Sequence, residues 1–486
     1  MDLTTKMPNL SRRDLLLSGL ALPALAQAKR PNVLFIAVDD LRPELGCYGA
    51  KTILTPNIDR IAKQGMTFLR AYCQQAVCSP SRTSVMTGAR PDTTKVWDLV
   101  THFRDAMPDT VTVAQHFKQN GYFVQGMGKI FHPGYNDPRS WSTAWQMPNA
   151  PNYAATKSAE VLDEDAKKKS KNGPAFESGN VADDFYKDGK VAALAVETLS
   201  TLAKRPEPFF LAVGFAKPHL PFVSPKKYWD MYDPSEIKLA PNPYRPKDAP
   251  DYALTTSGEL RNYHGMPAEG PVPDALARQL KHGYYAAASY TDAQIGKVLD
   301  ELDRLGLRKN TVIVLWGDHG WKLGEHGEWC KHSNVENDTN APLLFSAPGM
   351  KAAGQSSKAL VEFVDIYPTL ADVAGLPLPQ HLEGISFKPL LDDPKRPWKS
   401  AAFSQYPRGK KLMGYSMRTD RYRFTVWVDR QDHAKVEAVE LYDHRSDPQE
   451  NQNIAKAPAN ADLVNRLMAQ WKQGWQAAKP ATTGRG

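Results

Sequence analysis

The sequence predicts an α/β fold built on a mostly parallel sheet, followed by a smaller C-terminal α+β unit. Three observations carry this. Continuous apolar runs such as Val33 to Val38 suit strands buried on both faces. Helical patterns, several closed by a glycine, fall between those runs, as in βαβ units. Near residue 385 the composition changes, and shorter alternating segments replace the long apolar ones. With 42% hydrophobic and 10% aromatic residues in 486, the chain can bury one large core and a smaller one, which excludes the disordered classes.

The elements are expected in the following order. Residues 1–28 read as a twin-arginine export signal, with Ser11-Arg12-Arg13-Asp14, the apolar run Leu15 to Ala26 and a small-residue cleavage site at Ala26-Gln27-Ala28. This predicts a bacterial protein exported to the periplasm or beyond. The run is too short and too Gly/Pro-interrupted to span a bilayer, and no other segment is apolar enough, so no membrane span is expected. Residues 29–385 form the larger predicted domain. Strands are placed at Val33 to Val38, Phe209 to Phe215 and Thr311 to Trp316, and helices at Pro56 to Gly65, Val111 to Asn120, Gly283 to Leu305 and Asp365 to Ala374. The polar, Pro/Gly-rich stretches 136–180 and 231–275 read as long loops or insertions framing a pocket. Residues 386–486 form the C-terminal subdomain, with a hairpin over Gly414 to Val428 and a terminal helix over Leu463 to Trp475.

The formal charge of +8 is scattered along the chain, which argues against a nucleic-acid groove and is compatible with polyanionic sugars. Four cysteines, at 47, 73, 78 and 330, are too few and too irregular for a disulfide framework. Chemistry-bearing residues collect where strands end. Asp39-Asp40 follow the first strand and Asp318-His319 follow the Thr311 to Trp316 strand, and ligands bind along that edge of a parallel sheet. Adjacent carboxylates repel unless a cation holds them, and three of them suit a hard divalent ion such as calcium, although imidazole is not a ligand calcium prefers. Asp39-Asp40 alone reads equally as a solvated loop or a helix cap. Cys78, in Cys78-Ser79-Pro80-Ser81-Arg82, is either a reactive position or a small buried hydrophobe.

The spacing C-x-P-x-R, followed by Met86-Thr87-Gly88, resembles the signature at which a maturation enzyme oxidises cysteine to formylglycine in type I sulfatases. The rest of the chain carries the same resemblance, in particular to the iduronate 2-sulfatase group. The matching segments are Val38 to Pro43, Gln74 to Cys78, Arg90 to Thr94, Gly128 to Gly134, Lys217 to Phe222, Asp318 to Trp321, Gly324 to Trp329 and Met413 to Thr419. The resemblance implies an alkaline-phosphatase-like fold, a sulfated carbohydrate substrate and a formylglycine-generating enzyme as maturation partner. It implies that Cys78 becomes the formylglycine nucleophile and also touches one calcium ion held by Asp39, Asp40, Asp318 and His319. Arg82 would return its guanidinium to that centre, with Lys129 and His132 contacting the aldehyde hydrate and His132 acting as base. His219 would protonate the departing sugar oxygen, and Lys331 would neutralise a sulfate oxygen. Taken singly, these lysines read as solvated side chains and these histidines as structural ones.

Trp97, His102, Trp321, Tyr415 and Arg418 are candidate sugar contacts, with core or interface packing as the other reading. Lys322, Cys330 and His332 are expected near the mouth, where they would bear on which sugar is read. Two other activities stay open on the same residues. One is a phosphomonoester or phosphonate hydrolase, which would ordinarily carry Thr or Ser as nucleophile; the other is a non-catalytic binder of sulfated glycans.

Overall fold

The computed structural model describes residues 1–2, 30–168 and 172–480, so the expected export signal lies almost wholly outside the described residues. A seven-stranded sheet forms the centre. In chain order its strands are β1 (Asn32–Val38), β2 (Met66–Phe68), β3 (Phe123–Gly128), β4 (Phe209–Phe215), β5 (Thr311–Gly317), β6 (Leu343–Ser346) and β7 (Gln355–Ser357). Across the sheet they run β7-β2-β6-β5-β1-β4-β3, and only β6 runs against the rest.

Alternation along the strands builds two cores. Leu34, Ile36 and Val38 of β1 face one side, with Leu211 and Val213 of β4, against the helices Pro56–Gln64, Lys187–Leu202 and Asp274–Arg304. Val33, Phe35 and Ala37 face the other, against Cys78–Thr87, Val113–Gln119 and Ile366–Val373. Both faces are covered, which is why β1, β4 and β5 are buried at every position and, apart from Asn32 and Thr311 at their starts, carry no polar side chain.

The helix expected from Gly283 begins nine residues earlier, at Asp274, directly after Pro273. Proline presets the first turn, and Ala277 and Leu280 extend the buried face seen later in the helix. The described part of the stretch 136–180 carries regular elements where the sequence suggests loop. It holds the helix Thr156–Lys168 and the strand Phe176–Gly179, which pairs with Phe222–Pro225.

The expected hairpin is the central pair of a four-stranded antiparallel sheet made of β8 (Ala401–Arg408), β9 (Leu412–Thr419), β10 (Tyr422–Asp429) and β11 (Val436–Asp443). Met413, Met417, Phe424, Val426 and Leu441 bury one face of it with Leu467 of the helix Ala461–Ala477. Among the described residues, no helix is long and apolar enough to cross a membrane.

Candidate active site

Four adjacent parallel strands deliver their carboxyl ends to one place. Asp39-Asp40 leave β1, Asp318-His319 leave β5, Lys129 leaves β3, and the loop after β4 carries His219. Backbone bonds lock these exits together. Asp39 N donates to Phe215 O (3.1 Å), Asp318 N to Val38 O (3.1 Å) and Lys129 N to Gly214 O (2.9 Å). Asp40 has φ 55°, a left-handed conformation that aspartate tolerates. Tyr284, on the long helix, donates its hydroxyl to Asp40 O at 2.8 Å, and Asp40 N donates to Asp318 Oδ1 at 3.0 Å.

Cys78 opens a ten-residue helix in which every residue is buried. Pro80 falls in its first turn, where no backbone bond is lost, and Gly88 (φ 69°) closes it in the left-handed conformation. One turn on, Arg82 lies beneath the carboxylates. Its Nη2 donates to Asp39 Oδ1 (3.1 Å), its Nε to Asp318 Oδ2 (2.9 Å), and its Nη1 to the carbonyls of Lys129 and Ile130. With its donors engaged this way, Arg82 holds the acids in place from below. Ser81 Oγ adds a bond to Asp318 O.

Above this floor, Cys78 Sγ stands 3.5 Å from His319 Nε2 and 3.9 Å from Lys129 Nζ, which also donates to Asp39 Oδ2. Burial, and then the charge of Asp39, push the Cys78 thiol well above its ordinary range, so unmodified cysteine here is a neutral thiol. Burial alone would raise Asp39, but the charges of Lys129, His219 and Arg82 hold it well below the usual carboxylate range. His132 is pushed down to about 4 by burial and by Lys129, and its Nδ1 is buried without a partner.

The acid cluster fits a cation. The ligand atoms of Asp39, Asp40, Cys78 and His319 all lie within 4.8 Å of one another. His319 Nδ1 sits 2.9 Å from Gly320 O, and a carbonyl only accepts, so Nδ1 carries the hydrogen and Nε2 presents its lone pair. That lone pair faces Asp40 Oδ1 at 3.5 Å and Asp318 Oδ1 at 3.6 Å. Three buried carboxylates and one imidazole nitrogen turned inward form a donor set for a divalent ion.

The family description Sulfatase matches residues 31–376, well over half of the chain. The chain belongs to the sulfatase family. A second description, N-sulphoglucosamine sulphohydrolase, C-terminal, matches residues 324–476 of this sulfatase. The enzyme is 35% identical to iduronate 2-sulfatase of Homo sapiens, over 90% of this chain and 93% of that protein. It is 30% identical to a sulfatase of Formosa agariphila, over 93% and 89% of the two chains. A solved protein in complex with its substrate D-glucosamine-2-N,6-O-disulfate shares the fold, with TM-score 0.71 and 23% identity over 92% of this chain and 99% of that one. So does phosphonate monoester hydrolase of Agrobacterium radiobacter, with TM-score 0.72 and 22% identity over 91% and 95%. The α/β architecture is that of alkaline-phosphatase-like sulfatases.

Beside this centre the sulfatase carries Lys331, whose Nζ lies 3.1 and 3.2 Å from the two Asp40 oxygens and 4.8 Å above the Trp321 ring. Several residues expected at a sugar have other work. Trp321 is fully buried edge-to-face on Phe222 and beneath Lys331, and presents no face to a ligand. Arg418 is buried and donates to Glu336 Oε2 (3.2 Å) while contacting His444 Nδ1 (2.8 Å), which places it in an ion network with the C-terminal sheet. Trp97 Nε1 and Tyr415 OH converge on the Asp92 carboxylate (3.1 and 2.7 Å), and Lys95 and Arg430 lie over the Trp97 ring. His102 accepts from Arg104 N and stacks on Phe103. It also neighbours Tyr135, whose other neighbour is His132.

Lys322 and Cys330 are fully buried and away from any mouth, because Lys322 pairs with Asp338 (2.5 Å) and Glu328 (3.0 Å). His332 is partly exposed, with its Nε2 3.9 Å from Glu259. Sequence reasoning missed Glu259. Its carboxylate lies 3.1 Å from His219 Nε2 and 2.8 Å from Lys331 Nζ. Glu259 sits in the 231–275 stretch, and no spacing to a strand end announces it.

Proposed function

We propose that this sulfatase removes O-sulfate from a uronic acid or related sugar of a sulfated polysaccharide or oligosaccharide, and that it works outside the cytoplasm. The observation that carries the reading is Cys78. Its sulfur sits over a nest of buried acids and beside Lys129, in a sequence resembling a formylglycine signature, where burial leaves a thiol neutral. Converted to formylglycine, residue 78 supplies a hydrated aldehyde to attack sulfur in place of that thiol. A calcium ion in the nest would be held by Asp39, Asp40, Asp318 and His319 with residue 78, and would polarise the sulfate oxygens.

The chain's own residues divide the remaining work. Arg82 fixes two of the acids. Lys129 balances negative charge at residue 78 and Asp39. His132, held neutral by burial, accepts a proton at the face of residue 78. Lys331 meets a sulfate oxygen, and His219 protonates the departing sugar oxygen. The identity to iduronate 2-sulfatase supports a uronate as the sugar.

The test pairs a mass measurement with kinetics. The peptide containing residue 78, from protein made with a formylglycine-generating enzyme, should carry the mass of formylglycine. Sulfate release from a panel of defined sulfated disaccharides should be greatest on a 2-O-sulfated uronate, and 4-nitrophenyl sulfate should be cleaved faster than the corresponding phosphate. Cys78→Ala should lower kcat/KM about a thousandfold or more. An unmodified thiol in an active preparation would sink the reading.

A further inference from the structure

We infer that Glu259 is a positioning residue for departure of the sugar oxygen, holding His219 and Lys331 as one unit. The inference rests on the sulfatase reading above and deepens it. Glu259 lies on the short turn Gly258–Arg261, and its side chain is 19% exposed at the rim of an otherwise buried centre. One carboxylate oxygen faces His219 Nε2 at 3.1 Å, and Lys331 Nζ stands 2.8–2.9 Å from the carboxylate.

Two bonds bracket the imidazole. Its Nδ1 lies 2.6 Å from Leu220 O, a pure acceptor, so Nδ1 is committed and Nε2 is the nitrogen left to meet a ligand. Glu259 sets the direction of that nitrogen. The same carboxylate draws Lys331 outward, so that its ammonium bridges Asp40 and Glu259 over the Trp321 ring. Without Glu259, Lys331 keeps Asp40 as partner and His219 keeps only the Leu220 bond, with Asp40 Oδ2 at 3.9 Å. The two groups then lose their common anchor.

The consequence falls on one part of the reaction. When the S–O bond to the sugar breaks, its electron pair stays on the sugar oxygen, which takes the Nε2 proton of the His219 imidazolium and leaves a neutral ring with its hydrogen on Nδ1. A basic leaving oxygen needs that proton and an acidic phenol does not. Loss of Glu259 should therefore weigh most on poor leaving groups. A merely structural role would slow every ester alike.

The experiment compares wild type with Glu259→Gln and Glu259→Ala, each carrying formylglycine, on 4-nitrophenyl, phenyl and 4-methoxyphenyl sulfate. We expect the loss in kcat/KM on 4-methoxyphenyl sulfate to exceed that on 4-nitrophenyl sulfate by about tenfold or more, mostly in kcat, with unchanged melting temperature for the Gln variant. Equal losses across the series, or no loss in either variant, would overturn the assignment. A wild type inactive on every ester would overturn the sulfatase reading and this inference with it.

Discussion

Gly214 shows how tightly single positions set the site. It is the last residue but one of β4 and pairs with Gly128 at the end of β3, where the chain turns out to deliver Lys129. A Cβ on residue 214 would lie 2.2 Å from Lys129 O and 2.6 Å from Lys129 N, both backbone atoms with nowhere to go. Gly214→Ala should cost about 1–3 kcal/mol in stability. It should also move Lys129 off Asp39 and residue 78, lowering kcat by about a hundredfold. Thermal unfolding and steady-state kinetics on one preparation separate the two effects. At this scale the sequence was informative where chemistry sits directly at a strand end, as for Asp39, Asp40, Lys129, Asp318 and His319. It was silent on Glu259 and Tyr284, whose contacts with the site depend on how distant segments return. An exposed and a buried tryptophan look alike in sequence, and Trp321 turned out to be buried under a lysine.

Elements were legible in proportion to how simple their surroundings are. β1, β4 and β5 are wholly buried and read as unbroken apolar runs. The helix Cys78–Thr87 is wholly buried as well, yet it is rich in Ser and Thr and shows no apolar stripe, so periodicity did not reveal it. Several of its polar groups bond within the helix or to the site, as Thr87 Oγ1 does to Thr83 O (2.7 Å) and Ser81 Oγ to Asp318 O. The loop Gly324–Trp329 is stabilised in a different way. Arg42 donates to Glu325 at 2.8 and 3.2 Å, and Leu323 N donates to the same carboxylate at 2.6 Å. Burial would raise Glu325, but Arg42 brings it from the ordinary 4.5 down to about 2. A carboxylate lowered on folding stabilises fully above its unfolded value, and that stability drains as pH falls from 4.5 through about 2. The linkage amounts to about 3 kcal/mol at neutral pH. Glu325→Gln should melt well below wild type at pH 7, and the gap should close as melting is followed into acid. A constant gap across that window would show that the charge is not what matters.

The molecule as a whole is joined by charge across its two cores. Arg423 of β10 is buried and donates to Glu450 and Glu336, both at 2.5 Å. Glu336 N donates back to Glu450 Oε2 at 2.8 Å, and Tyr72 OH donates to Glu336 Oε1 at 2.9 Å. His444 Nε2, 2.8 Å from Glu450 Oε1, and Arg418 complete the network. Glu336 and Lys331 share one short segment, so the C-terminal sheet braces the strand-end site from outside. Composition marked where the two parts of the chain differ, but the ion network between them joins residues over eighty positions apart and leaves no local pattern to read. Arg423→Met leaves the buried Glu450 and the partly buried Glu336 with weaker partners and should cost about 3 kcal/mol. Because the segment bearing Lys331 loses its brace first, kcat should fall at temperatures where circular dichroism still reports a folded chain. Glu336→Gln removes one of the stranded charges, so the double variant should lose less stability than the sum of the two single ones. Additive losses would mean that Arg423 and Glu336 act independently and that the sheet does not brace the site through this pair.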